Sequence, residues 1–409
     1  MWTKLVPVTA LIAAVTLTGA TAHADPAART EPTAPIGGEA LGSRGLVAPT
    51  GVKKPPKSKA TSYVVADADT GGVLAAKDAH GRYLPASTLK TLTAVTLIPK
   101  LDKNRKIRPS HNACNQEGSA VGLSPKTTYK VDDLFKALMM SSGNDAAMAL
   151  AETNGSLAQT MNDMNAEARR LQAYDTVAKT PSGLDKPGQS SSAYDLALIA
   201  RAGLANADFR RYISTKIAKF PAPKGYYEIS NHNKLLWRYN GMIGVKNGWT
   251  SKAQASFVGA ATRGGHTIVV SIMRHEGGFW DEITQLLDWG FSVRGKVTPV
   301  GRLVDPLPAS ALAAPGQQQP GQQPNQQPGQ QPGQQQPSAA PGASGAPNAA
   351  ATPGISVTPA AQPPLLDTAA SKQTDSTKTV GSLVIGGGLL FGLIWVGYGI
   401  RRKRGRSSS

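Results

Sequence analysis

Ser87 and Lys90 stand three residues apart in the run Ser87-Thr88-Leu89-Lys90, so on a helix their side chains share one face. A serine hydroxyl is a poor nucleophile until a base comes within hydrogen-bond reach. A lysine can be that base when burial and nearby positive charge depress its pKa. Lys246, in Lys246-Asn247-Gly248, is the natural source of such charge, and Ser142-Gly143-Asn144 lies between the two motifs. A Ser-x-x-Lys string alone is weak, and each residue singly also fits a bland role: Lys90 and Lys246 as surface lysines, Ser142 as a helix cap. The ordered set points to serine acyl transfer, which needs nucleophile, base, proton donor and paired amides at one point.

The elements around these motifs follow from periodicity. Ser62–Ala68 and Val73–Lys77 read as a hairpin across Asp69-Thr70-Gly71-Gly72. A helix starts near Ser87, whose apolar residues Leu89, Leu92 and Leu97 repeat at helical spacing. Its N-terminus favours developing negative charge at Ser87. Helical pattern runs from Val131 to Thr153, interrupted at Ser141-Ser142-Gly143-Asn144, then over Leu157–Leu171 and Ala193–Leu204. Strands resume at Met242–Lys246, Ala255–Ala261 and His266–Met273, before a helix over Phe279–Trp289 that stops at Gly290. Strands, many helices, then strands again imply an α+β fold: an antiparallel sheet flanked by helices, with a helical lobe inserted between its strands.

Of the 409 residues, those from 60 to 297 carry nearly all the periodic apolar pattern and form the expected catalytic domain. Residues 1–24 read as a signal peptide, with Lys4, an apolar run and Ala22-His23-Ala24 as cleavage site. Residues 25–59 read as a flexible leader. Residues 298–379 read as a disordered linker, almost wholly Gln, Pro and Gly over Pro315–Pro337. Residues 380–400 lack charge and suffice to span a bilayer, and 401–409 form a basic tail that stays inside. The expectation is a single-pass cell-membrane protein whose catalytic domain is extracellular and faces the wall. Cys114 is the sole cysteine, so no internal disulfide forms. The net charge of +18 partly reflects the tail. The remainder favours approach to anionic cell-wall polymers, and export argues against nucleic acid as a partner.

The strings Tyr-Leu-Pro-Ala-Ser-Thr-Leu-Lys (83–90), Glu-Gly-Ser-Ala-Val-Gly-Leu (117–123), Ser-Ser-Gly-Asn-Asp (141–145), Pro-Ser-Gly-Leu-Asp-Lys-Pro-Gly (181–188) and Val-Lys-Asn-Gly-Trp-Thr (245–250) occur in that order. In this the chain resembles the serine D-alanyl-D-alanine carboxypeptidases, the low-molecular-mass penicillin-binding proteins, from about Ser62 to Phe291. The resemblance implies a β-lactamase/transpeptidase-like fold with the site between sheet and helical lobe. It implies cleavage of the terminal D-Ala from peptidoglycan stem peptides through an acyl-enzyme, and acylation by β-lactam antibiotics. By the same resemblance Ser87 is the nucleophile, Lys90 its base and Ser142 a proton relay to the leaving amine. Asn144 holds Lys90 and the substrate backbone, and Lys246 faces the substrate carboxylate. The backbone N–H groups of Ser87 and Trp249 form an oxyanion hole. Asn247, Gly248 and Thr250 complete the substrate strand.

Two positions depart from the family pattern. Asn247 replaces a threonine or serine, so an amide donates where a hydroxyl usually does. His232 stands where some relatives carry an arginine near the substrate carboxylate; a structural or exposed imidazole is the plainer role. The β-rich second domain of many relatives is expected to be absent. Competing readings are a β-lactamase-like hydrolase, which needs a deacylation base that neither Glu152 nor Glu167 supplies in the usual pattern, and a catalytically silent peptidoglycan-binding module. An endopeptidase or transpeptidase is closer kin. The histidines show no metal-ligand spacing and no His-Glu-x-x-His occurs, so no cofactor is expected.

Overall fold

The computed structural model describes residues 35–308. The signal peptide, the membrane span, the basic tail and nearly all of the linker lie outside the described residues. Among those described, no helix is long and apolar enough to cross a membrane.

The described residues open with a 3-10 turn, Glu39–Gly42, then an edge strand, β1 (Leu46–Val47), and the expected hairpin, β2 (Ser62–Asp67) and β3 (Gly72–Lys77). One 3-10 turn, Ala86–Leu89, runs directly into α1 (Lys90–Leu97). The two-residue strand β4 (Lys106–Ile107), helix α2 (His111–Cys114) and strand β5 (Tyr129–Lys130), which pairs with β4, come next. The helical lobe follows as α3 (Val131–Met140), α4 (Asn144–Thr153), α5 (Leu157–Arg170), α6 (Ala193–Leu204) and α7 (Ala207–Ser214). A second hairpin, β6 (Ile217–Pro221) and β7 (Tyr226–Ser230), and the short α8 (Leu235–Arg238) lead back to the sheet. There the chain completes β8 (Met242–Thr250), β9 (Gln254–Arg263), β10 (His266–His275), α9 (Trp280–Val293) and β11 (Gly301–Arg302).

The main sheet has the order β1-β3-β2-β10-β9-β8, with β11 also on β3 and every pairing antiparallel. Its central strands are apolar on both faces because both faces are covered. Val64 and Ala66 of β2 and Val269 of β10 point into the core shared with α6. Tyr63 and Val65 of β2 and Val270 and Ile272 of β10 point into the core shared with α9. A third core, built by Leu89, Leu92, Met164, Leu171 and Ile199, fixes α1 against α5 and α6. Truncating Leu89 or Leu92, both fully buried, to alanine costs about 2–5 kcal/mol. Helix α6 is sheathed nearly all round, and Ser192 caps it by accepting from the Asp195 amide.

Three expectations are corrected. The stretch 25–59 is not loose where it is described: Leu41 is buried in the core, β1 pairs with β3, and Lys53 O accepts from Trp289 Nε1 at 2.7 Å. The linker expected from 298 begins later, because β11 pairs with β3 and Leu303 is fully buried. Helix α9 runs through Gly290 to Val293 rather than stopping at the glycine. A Cβ at Gly290 would lie 2.9 Å from Ile268 and 3.0 Å from Val65, so that glycine lets the helix sit close on the sheet.

Candidate active site

The Ala86–Leu89 turn is held against the sheet edge from several sides. Ser256 Oγ of β9 donates to Pro85 O at 2.6 Å, and Thr88 Oγ1 donates to the same carbonyl at 2.6 Å. Ala86, immediately before Ser87, has φ +48°, left-handed backbone that a non-glycine residue adopts only under constraint. Gly183 (φ +83°) packs against the Ala86 carbonyl so tightly that a side chain there would overlap it. A Cβ at Gly248 would lie 2.6 Å from Ser87 N and 2.9 Å from Thr88 N. The strand carrying Lys246 therefore runs along the backbone of the serine turn, and only glycine permits that approach.

Lys90 is fully buried, and its Nζ stands 3.1 Å from Ser87 Oγ, 2.6 Å from Asn144 Oδ1 and 2.7 Å from Ser182 O. Asn144 is itself fixed, donating from Nδ2 to Glu117 O at 2.6 Å and from its amide to Ser119 O at 2.7 Å. Asp145 anchors the same loop by accepting from the amides of Gly122 and Leu123 at 2.9 and 3.0 Å. Ser142 lies in the α3–α4 break, 4% exposed and with φ +61°. Backbone held there costs of the order of 1–2 kcal/mol and is a common mark of functional sites.

Burial pushes the Lys90 amine well below its usual pKa, the Lys246 charge lowers it further, and Asp145 opposes both. Lys246 is also buried; desolvation brings it down to about 7, and its Nζ donates to Asn247 O at 2.8 Å. His232 is an exposed residue whose imidazole is held below its ordinary value by partial desolvation and then by the Lys246 charge. Thr250 Oγ1 donates to Asp185 Oδ1 at 3.1 Å and accepts from Ala253 N at 2.9 Å, tying β8 to the 181–188 loop. Trp249 is 70% exposed on the rim. Asn247 is half-buried between Lys246 and Gly248.

Ser87, Lys90, Asn144 and Gly248 are thus joined by direct contacts, and Lys246 acts on Lys90 through its charge. Several groups that position them carried no role in the sequence reading: Ser182 O, Gly183, Ser256, Asp145 and Asp185. The glycine of Pro-Ser-Gly-Leu-Asp was the available signal for the first two. A carbonyl that holds the Lys90 amine leaves no mark on its own side chain. Elsewhere, His80, Asp175 and Asp195 converge within 4.8 Å. Both ring nitrogens of His80 are used, on Asp175 at 2.8 Å and Ile36 O at 3.0 Å, and Arg82 pairs with Asp175. The group reads as an ion-paired network.

A sheet-and-lobe body with a buried lysine beside a serine at the sheet edge defines a penicillin-binding, transpeptidase-like serine enzyme. Residues 49–277 match the D-alanyl-D-alanine carboxypeptidase family, peptidase S11. The chain is 41% identical over 264 residues to D-alanyl-D-alanine carboxypeptidase DacB2 of Mycobacterium tuberculosis, covering 63% of this chain and 90% of that protein. It is 31% identical to DacF of Bacillus subtilis, covering 57% of this chain and 62% of that protein. Among solved structures, a D-alanyl-D-alanine carboxypeptidase from M. tuberculosis superposes with a TM-score of 0.61 at 39% identity, over 63% of this chain and 99% of that one. The Streptomyces K15 DD-transpeptidase gives 0.56 at 26% identity, over 59% of this chain and 100% of that one. The chain belongs to the D-alanyl-D-alanine carboxypeptidase family.

Proposed function

We propose that the protein is a serine D-alanyl-D-alanine carboxypeptidase that removes the terminal D-Ala from peptidoglycan stem peptides. The observation that carries this is the environment of Lys90 Nζ. Two of its three partners, Asn144 Oδ1 and Ser182 O, can only accept hydrogen bonds. The third partner is the Ser87 hydroxyl, 3.1 Å from Nζ. Once the amine is neutral, two N–H groups serve the two carbonyl acceptors and its lone pair is free to take the Ser87 proton.

Ser87 Oγ attacks the carbonyl of the penultimate D-Ala as its proton passes to Lys90. The N–H groups of Ser87 and Trp249 receive the oxyanion, an arrangement typically contributing a few kcal/mol. Ser142 conducts a proton to the nitrogen of the departing D-Ala, and the C–N bond breaks to leave an acyl-serine. Water then hydrolyses the ester. Lys246, recharged by the carboxylate that enters beside it, binds the substrate terminus together with Asn247 and Thr250. A β-lactam carbonyl enters the same path, but its leaving nitrogen stays tethered in the acyl group, so the adduct persists.

Incubation with a pentapeptide ending in D-Ala-D-Ala is expected to release free D-alanine, and Lys90→Ala to abolish nearly all of it. Rapid repeated turnover of nitrocefin would instead favour the β-lactamase reading, and no labelling by a fluorescent penicillin the silent module.

The same reading places the domain outside the cell, joined to the membrane by residues 380–400. Its support is the uncharged run followed at once by Arg401, Arg402, Lys403 and Arg404. Fifty extended linker residues would reach on the order of 150 Å. Cell fractionation, with protease access to the domain in intact protoplasts, tests that placement.

A further inference from the structure

One wall of the site carries a charge pattern that the cleavage chemistry does not use. Glu228 is the only acidic residue between Asp208 and Glu276. Over this stretch Lys216, Lys219, Lys224, Lys234, Arg238 and Lys252 are all exposed. None has an ion-pair partner among the described residues. Isolated lysines on a surface need no explanation, but a run this long with one acid is a segregated field.

Contacts place this stretch beside the catalytic groups. Ser141, the neighbour of Ser142, donates from Oγ to Ser230 O at the base of the β6–β7 hairpin, and His232 N donates to Met140 O at 2.9 Å. Tyr227 Oη donates to Val121 O in the loop that holds Asn144. The hairpin register separates its two faces. Phe220 and Ile229 turn inward, with Phe220 stacked on Tyr129. Ile217, Lys219, Tyr226 and Glu228 share the outward face, with Glu228 directly across from Lys219, while Lys216 and Lys224 flank strand β6; Ile217 is 55% and Tyr226 71% exposed.

Building on the carboxypeptidase reading, we infer that this outward hairpin face is a docking surface for the peptidoglycan strand carrying the reacting stem. The neighbouring uncross-linked stems of such a strand present repeated carboxylates, complementary to the unpaired lysines. Its sugar rings offer flat apolar faces to an exposed tyrosine. The surface would draw polymer toward the cleft by long-range attraction and leave cleavage of a single soluble peptide untouched.

The test uses the full-length protein carrying Ser87→Ala, sedimented with polymeric peptidoglycan that bears uncross-linked pentapeptide stems. Binding should weaken as NaCl rises from ~0.05 to ~0.5 M. Adding Lys216→Gln, Lys219→Gln and Lys224→Gln should lower the apparent affinity about ten-fold, with an unchanged melting temperature. With Ser87 intact, the triple variant should release D-alanine from soluble pentapeptide at the wild-type rate. Unaltered polymer binding by the triple variant overturns the inference. So does an equal loss on soluble peptide, or a preference for poly(glycerol phosphate) over peptidoglycan stripped of it. Salt-sensitive, lysine-dependent binding by a wild type that releases no D-alanine supports this surface while refuting the carboxypeptidase reading.

Discussion

Gly248 lies against Ser87 so closely that a Cβ on the glycine would stand 2.6 Å from the serine backbone nitrogen. The Ser87 turn and strand β8 therefore lie in close contact, at a spacing set by the absence of a side chain. Gly248→Ala should push the two apart while Ser256 and Thr88 still hold the turn through Pro85 O. Labelling by fluorescent penicillin is expected to slow about 100-fold, as for a displacement of about 1 Å in a catalytic group, with far-UV circular dichroism unchanged. Labelling at the wild-type rate would show that the approach is not needed.

Removing the base is expected to cost more than removing a positioning contact. Lys90→Ala should slow acylation by about 10²–10⁴-fold, read as the rate of penicilloyl-adduct formation by mass spectrometry. Asn144→Ala removes one of two acceptors that hold the amine, and should fall between Lys90→Ala and the wild type. If Asn144→Ala were the more severe, the amide rather than the amine would carry the proton transfer.

Two depressed lysines predict a pH profile of defined sign. Lys90 must be neutral to accept a proton, so kcat/KM should rise with pH through its lowered pKa. Lys246, down at about 7 in the free enzyme, loses the charge that binds carboxylate as pH climbs past 7. kcat/KM should then decline on that alkaline side. A bound carboxylate restores the charge, so the alkaline limb of kcat should lie higher than that of kcat/KM. Coincident limbs in the two profiles, measured by D-alanine release, would remove Lys246 from substrate binding.

The same lysine should trade stability for function. Its folded pKa lies near 7 against an ordinary 10.5. Burying its charge therefore costs stability in full below pH 7, and the cost fades as pH rises from 7 to 10.5. Lys246→Met should raise the melting temperature by a few degrees at pH 6, with a gain that shrinks toward pH 10, while D-alanine release is lost. A pH-independent gain would mean that packing rather than charge is responsible.

Much of this was legible in the residues. The bounds of α6 and the break at Ser141–Asn144 follow from periodicity and its interruption. Of the motif residues, Ser87, Lys90, Asn144 and Gly248 come into direct contact, with the Lys246 charge acting on Lys90. Periodicity alone carries strand β8 to Lys246, and the motif carries it on to Thr250; the reason for Gly248, the Ser87 backbone, is remote in sequence. The segments around Leu41 and Leu303 hide behind Pro- and Gly-rich composition, yet each buries a leucine. Their burial depends on partners that no local window contains. Gly290 carried a stop signal locally and a packing role globally, and packing decided.

The two ends of the described body meet on one sheet edge: Arg302 N donates to Gly37 O at 2.8 Å, Tyr194 Oη to Arg302 O at 2.7 Å, and β11 zips onto β3. Ser87 sits beside β8, at the opposite edge. Mechanical load transmitted along the chain beyond residue 308 would thus fall first on the β11–β3 seam, and tension there can be resisted or yielded without pulling on the catalytic cleft.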